Sequence, residues 1–532
     1  MAEFKKLTAD NFIEQIVRYG YFAEQIPSCF QAGQLAVNLS AFLPHITCGK
    51  ILVDRSRSNT TAPVTLSTYK NDISRRVLSL PNPTTFLRCA KLMSENWDAI
   101  KKAAKSPNSL SPITYIHRYN NEDTELLNSE NVRESRKSKS EFIEGIKNCI
   151  CTSLGYKYRL RVDISNCYNS IYTHSVAWAM CGKAEAKNYM RTKEPEALKS
   201  CYELADRLDA FTRFQKNNET NGIVVGPFTS RIFSEIILAE LDRCLIKKGY
   251  QFRRYVDDYK FYFRSETQAQ ESIPDIEKIL NDFNLNLNTA KTEIMKYPYE
   301  IISQIKNTYD DAIKREGVFG VLNAAAQFHL AGEKGAYKYA LKYIRGQKIP
   351  LEDFDIILPL LINTMLLDPR YGKYVIEYLK ANRKRLSIEA LSSIVNKELE
   401  SSLKSELQQE SLLFMHLIRE LSLSISASNV LNILQGGEDF SIIIVLDIWK
   451  NRNKTVIRSR SEAAQINKHI EKLAESLNGE TYTGSRWLLL YETEMNQLID
   501  KTLFIHPKKD KVFEEMASAN IVFYQSIKRI SK

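Results

Sequence analysis

The stretch RRYVDDYKFYF, beginning at Arg253, sets two adjacent carboxylates, Asp257 and Asp258, between two runs of β-forming residues. Burying an unpaired charge in such a run costs on the order of several kcal/mol. The two acids therefore belong at the tip of a β-hairpin, where Asp suits a tight turn.

A third acid lies far upstream. In RLRVDISNCYNSIYTHS, Leu160, Val162 and Ile164 alternate with Arg159, Arg161 and Asp163, so Asp163 ends the polar face of a strand just before a helix-like segment. If that strand neighbours the hairpin, three carboxylates converge. Anions about 4 Å apart repel by roughly 1 kcal/mol per pair in water and about 4 kcal/mol at an effective dielectric of 20. Hard divalent cations with oxygen ligands are the natural counter-charge, and Mg²⁺ keeps positions open for substrate phosphates. Two such ions about 3.5–4 Å apart suit an in-line nucleotidyl transfer.

The remaining features bound the setting. A chain of 532 residues exceeds one hydrophobic core and calls for two or three domains. Its 44% hydrophobic and 26% charged residues are those of a globular protein. The longest aliphatic run, Ile442 to Leu446, stops at Asp447, far short of the roughly 20 residues a bilayer needs. Charges at Glu3, Lys5, Lys6 and Asp10 leave no apolar core for a secretory signal, so a cytoplasmic protein without a membrane span is expected. The 9 cysteines fit neither a disulfide scaffold nor paired zinc knuckles and read as free thiols. Of the net charge of +11, residues 1–200 hold +9, from 28 Lys and Arg against 19 Asp and Glu, which favours an anionic partner there.

Along the chain, short β-like runs alternate with helical stretches such as TSRIFSEIILAELDRCLIKKG up to about residue 300, which is α+β. Beyond Pro298 the segments are helix-length and amphipathic with short Gly, Pro or Asp breaks. The expected division is 1–300 mixed and 301–532 all-α. Helix pairs at roughly 40-residue spacing suit a HEAT-like stack, although no strict repeat separates this from an irregular helical domain. The basic, Ser-rich NVRESRKSKS at 131–140 reads as a solvated or a phosphate-contacting loop.

In this order, VDISNCY, GIVVGPFTSRIFSEI, RYVDD and LNLNTAKTEI resemble motifs A, B, C and D of the reverse-transcriptase palm, with 94 residues from Asp163 to Asp257. VRYGYF at Val17, SRRVLSLPNP at Ser74, DISNCYNSIYTHSVAW followed by Gly182-Lys183, and the helical C-terminal half resemble the bacterial abortive-infection (Abi) reverse transcriptases, a phage-defence group. The resemblance implies reverse-transcriptase-like fingers and palm over 1–300, then a HEAT-like helical domain over 301–532. It implies a polymerase taking deoxynucleoside triphosphates with two Mg²⁺ ions, or Mn²⁺ in their place. It also implies synthesis without a template, a single-stranded DNA product attached covalently through a side-chain hydroxyl, and a homo-oligomer. The alternatives are an RNA-templated reverse transcriptase and a catalytically silent nucleic-acid-binding scaffold.

Carried over by motif, Asp163 and Asp257 hold the metals and Asp258 supports them. Tyr168, five residues after Asp163, is placed to clash with a ribose 2′-OH. Arg75 and Arg76 match positions that grip the triphosphate, where guanidinium forks pair with phosphate oxygens; strand alternation lets one point inward, and Arg76 is favoured. Gly226 allows close backbone approach. Lys291 matches a lysine that can protonate pyrophosphate. Motif B departs from the family, because Ile223-Val224-Val225 stands where Pro-Gln is usual between the glycines. His174 matches the Abi pattern without a role beyond a structural hydrogen bond. Among 27 tyrosines no priming hydroxyl stands out, and core packing accounts for Tyr19 and Tyr21.

Overall fold

A computed structural model describes residues 4–46, 60–71, 73–117, 145, 147–299, 305–333, 335–348, 354–503 and 507–527. The basic stretch 131–140 and the expected boundary at 300/301 lie outside them.

A two-stranded antiparallel hairpin, β1 (Val64–Tyr69) and β2 (Arg75–Leu80), precedes the main sheet. That sheet has four antiparallel strands: β3 (Tyr158–Asp163), β4 (Phe252–Tyr255), β5 (Asp258–Phe263) and β6 (Glu293–Lys296), in the spatial order β4-β5-β3-β6. Period-two alternation turns Leu160 and Val162 of β3 and Tyr259 and Phe261 of β5 into the core, all at 1% exposure or less. Arg159 departs from the expected polar face: it is buried, donates to the Tyr299 carbonyl and lies over the Tyr299 ring, because residues 297–299 cross that edge of the sheet.

Helix α1 (Phe228–Lys247) starts behind Pro227, whose fixed φ suits a helix start, and buries residues on every side, Ile232, Phe233, Ile236 and Leu241 among them. Beyond residue 304 the described segments are helices from Ile305 to Ser518, joined by short turns, with one two-residue parallel pairing of Ile425–Ser426 with Val456–Ile457. Helix α2 (Gln408–Leu421) lies against β1. The Ser67 and Tyr69 amides, two residues apart on the open edge of β1, donate to the side-chain carbonyls of Gln408 and Gln409 at 2.7 and 2.8 Å. Covering an edge in this way removes a site for unwanted strand pairing.

The end of the chain returns to its beginning. Gln31 N–H donates to the Phe523 carbonyl and Gln525 N–H to the Cys29 carbonyl, both at 2.8 Å. Phe30 packs edge-on against Phe440 and tilted against Tyr524. The helical and mixed regions thus share one core.

Candidate active site

The hairpin between β4 and β5 turns on two residues, Val256 and Asp257, closed by the Tyr255–Asp258 pair. Asp257 is therefore in the turn and Asp258 opens a strand. On the other side β3 pairs with β5 so that Asp163 lies directly opposite Asp258. Opposite residues of an antiparallel pair project to the same face with Cβ atoms about 4.5–5.5 Å apart. One step on, Ile164 N–H donates to the Asp257 carbonyl at 3.2 Å. Val256 takes φ 54°, a genuine outlier for a β-branched residue, which stores about 1–3 kcal/mol at the turn.

Charge follows from this packing. Burial raises the Asp257 carboxyl above its ordinary value, the neighbouring Asp163 and Asp258 raise it further, and Arg76 opposes them. Asp163 is buried, and its Oδ2 accepts from Asn288 Nδ2 at 2.9 Å and Lys291 Nζ at 3.0 Å. Arg161, two residues before Asp163, reaches Asp258 at 3.3 Å. Two side-chain cations thus offset the repulsion that the sequence poses.

The donor set fits a hard divalent ion in kind: three carboxylates on adjoining backbone, with no sulfur or imidazole among them. Among the described residues no group of three or more His, Cys, Asp or Glu converges into a ready-made cage. Lys291 holds Asp163 in this conformation, so an ion shared by Asp163 and Asp257 would take over the charge role of that ammonium.

The other expected residues divide. Arg76 is exposed and close enough to Asp257 to lower its pKa. Arg75, one residue earlier on the opposite face, is committed elsewhere: its fork meets Glu410 of α2 at 2.8 and 2.7 Å, and Nε donates to Ser67 Oγ. The fork thus faces α2, as alternation along β2 turns neighbouring side chains to opposite faces. Tyr168 is half-buried beside Ser234, its hydroxyl pushed up to about 12 chiefly by burial and so neutral. Its carbonyl accepts Ile223 N–H at 2.9 Å, and Val225 accepts Ser79 N–H at 2.8 Å, so the motif B loop bridges the Tyr168 turn and β2. Gly226 has φ 136°, a conformation that favours glycine, and a Cβ there would meet the Ala23 Cβ at 3.2 Å, tighter than an ordinary contact. His174 Nδ1 lies 3.0 Å from buried Asp209, a structural pairing. Tyr21 is fully buried and donates to the Pro81 carbonyl, as core packing requires.

Four residues beside the acids have no role in the motif-based reading: Arg161, Asn288, Ser111, whose Oγ accepts the Val256 N–H, and Arg254, which donates to the Val256 carbonyl. Arg254 carried a signal, since it stands two residues from Phe252 on a strand and so shares its inward face.

Residues 100–313, about two-fifths of the chain, match the family described as reverse transcriptase (RNA-dependent DNA polymerase). They span all four strands of the sheet and all three acids. Residues 100–313 are thus similar to a reverse transcriptase domain. The match makes the enzyme class a nucleotidyltransferase of the reverse transcriptase and DNA polymerase type, and such domains use divalent metal ions. The β1–β2 hairpin lies outside the matched residues.

Two solved structures are similar at low identity. A telomerase from Candida albicans with a TWJ fragment of telomeric RNA is 13% identical over 67% of this chain and 65% of that one, with a TM-score of 0.26. The chain thus spans slightly under two-thirds of that telomerase. Apo telomerase from Candida tropicalis is 12% identical over 86% and 77%, with a TM-score of 0.29. No curated protein matches. Among the described residues no helix is long and apolar enough to cross a membrane.

Proposed function

We propose that the reverse transcriptase domain works here as a protein-primed, template-independent DNA polymerase of abortive-infection phage defence, cytoplasmic and homo-oligomeric, with a HEAT-like helical stack behind it. The observation that carries polymerisation is the register that sets Asp163 opposite Asp258 with Asp257 at the adjoining turn. Bound divalent ions, Mg²⁺ or Mn²⁺, supply the charge that activates an attacking hydroxyl and offsets the leaving pyrophosphate. Asp163 and Asp257 hold that charge and Asp258 supports them. Arg76 receives the triphosphate from the hairpin, Tyr168 excludes a ribose 2′-OH, Gly226 lets the nucleotide approach the backbone, and Lys291 stands 3.0 Å from Asp163, near where pyrophosphate departs.

Template independence draws support from two features. Ile223 and Val224 replace the usual polar motif B side chain and are 1% exposed, so the loop offers no amide to a template base. The β1–β2 hairpin is tied to α2 by Gln408, Gln409 and Glu410 instead of standing free. The assignment to phage defence rests on the flanking words VRYGYF, SRRVLSLPNP and YTHSVAW.

The family's own description, an RNA-dependent DNA polymerase, favours a templated second reading. One experiment separates them. Purified protein is incubated with labelled deoxynucleotides and Mg²⁺ without nucleic acid and run on a denaturing gel. Label migrating with the protein is the expected result. Label that appears only with added RNA and primer makes the enzyme templated, and none under either condition makes it a silent scaffold.

A further inference from the structure

Beneath the acidic turn lies a fully buried guanidinium. Arg254 is 0% exposed, at a position where strand alternation faces the core, and it sits between β5 and α1. An arginine carries five N–H donors in a fixed fork. Here each has a partner. Nε and one Nη2 hydrogen meet Asp242 at 2.9 and 2.7 Å, and the other Nη2 hydrogen and one on Nη1 meet Glu235 at 2.7 and 3.1 Å. The fifth donates to the Val256 carbonyl at 2.9 Å. Glu235 and Asp242 are seven residues apart on α1, two helical turns, and so present one face.

The other side of Val256 is held as well. Its N–H donates to Ser111 Oγ at 3.0 Å, and the Ser111 carbonyl accepts from Arg231 of α1 at 3.1 Å. Residues 108–111 run along β4, with Arg254 N–H donating to Asn108 at 2.9 Å and Leu110 N–H to Arg254 at 2.7 Å. The residue held at φ 54° is thus gripped at both its amide and its carbonyl, and the next residue is Asp257.

We infer that Arg254 and Ser111 are positioning residues, which hold Val256 in its left-handed conformation, aim Asp257 at the reacting phosphate, and couple that aim to α1. The inference rests on the reading of Asp257 as a metal-binding carboxylate. Stability alone does not explain the arrangement. Apolar residues of similar volume commonly replace a buried ion cluster without loss, but they leave the Val256 carbonyl without a donor. A lysine keeps the charge yet cannot span two carboxylates and a carbonyl. The helix that begins two residues beyond Gly226 thereby shares a rigid link with the turn, so backbone approach at the nucleotide and placement of Asp257 are tied.

The test uses the full chain with Ser111→Ala, Arg254→Lys and, as reference, Asp257→Asn. Mn²⁺ binding is followed by electron paramagnetic resonance of the free ion, alongside separate kcat and KM for deoxynucleotide and a thermal melt. Ser111→Ala loses one neutral hydrogen bond, so kcat and Mn²⁺ affinity are expected to fall roughly three- to tenfold, with KM and the melt nearly unchanged. Arg254→Lys is expected to lose more of both. If Asp257→Asn binds Mn²⁺ as the parent does, the reading of Asp257 falls and the inference with it. If Asp257→Asn loses Mn²⁺ while Ser111→Ala keeps the parental affinity and kcat, the positioning inference alone is overturned. Should Arg254→Lys not fold, Ser111→Ala decides.

Discussion

At Asp257, burial and two neighbouring carboxylates act together to disfavour the charged form. A group whose folded pKa is raised above its unfolded value makes the native state less stable once pH exceeds the unfolded pKa. Asp257→Asn removes that penalty along with the ligand. Nucleotide incorporation is expected to drop at least about a thousandfold, because charge stabilisation at the reacting centre is usually the largest catalytic contribution. The melting temperature without metal is expected to stay level or rise. A variant that still incorporates nucleotide, or that melts well below the parent, contradicts this account of the turn. The acids themselves were legible in the sequence because carboxylates inside β-forming runs need a reason. Their hydrogen-bond partners were not: the Lys291 ammonium and the neutral Asn288 amide that meet Asp163 come from 125 or more residues downstream of it, and only the pairing of β3 with β5 and β6 brings them into place.

Within the β1–β2 hairpin, two adjacent arginines are indistinguishable by charge and separated by pleat. Arg75 points to Glu410, whereas exposed Arg76 lies on the other face of the strand, where its charge lowers the Asp257 pKa. Arg76→Ala is expected to raise KM for deoxynucleotides about tenfold while leaving urea unfolding nearly unchanged, one charge-assisted hydrogen bond being worth roughly 1.5–3 kcal/mol. Arg75→Ala is expected to do the reverse and lower unfolding free energy by about 1–3 kcal/mol, since it leaves the nearly buried Glu410 without its fork. Steady-state kinetics and urea titration of the two variants decide it. Alternation in SRRVLSL implies that only one arginine faces inward, and the resemblance favours Arg76; what holds Arg75 is Glu410 of α2, 335 residues away in the chain and without a motif.

Helix α2 carries a second test. His416 is 5% exposed and its pKa is lowered to about 4, chiefly by burial, with Arg419 and Lys380 adding to the effect and Glu420 opposing it. The unfolded chain takes up a proton near 6.5 and the folded one does not, so stability present above that pH is lost as pH falls from 6.5 to 4. The loss amounts to about 3 kcal/mol at 1.36 kcal/mol per pKa unit. Glu438, raised to about 7 by burial, acts in the opposite direction over part of this window, gaining stability as pH falls toward 4.5. The difference between the denaturation curves of His416→Gln and the parent cancels that shared contribution. It is expected to flatten the acid limb between pH 6.5 and 4; parallel limbs contradict it.

Across the whole molecule, the sequence reads as two regions with a change of pattern near residue 300, and that change of secondary structure is present. What hydrophobic periodicity could not convey is how far the regions interlock, because one buried helix face looks the same whichever partner covers it. Tyr524 shows the extent. Fully buried, it pairs with Phe30 near the start of the chain and donates its hydroxyl to buried Asp447 on the Asp439–Asn451 helix. Such an interlocked core is expected to unfold cooperatively, and the four tryptophans report on it from both regions: Trp97 and Trp178 in one, Trp449 and Trp487 in the other. In chains retaining only Trp97 or only Trp487, both nearly or fully buried, fluorescence is expected to give coincident urea transitions. Tyr524→Ala removes a buried ring, costing about 3–5 kcal/mol, and takes one donor from Asp447. Both reporters are expected to shift together by that amount. Two separated transitions, or a shift confined to Trp487, would mean that the helical region unfolds independently of the polymerase fold, and then the hairpin held by α2 could open without global unfolding.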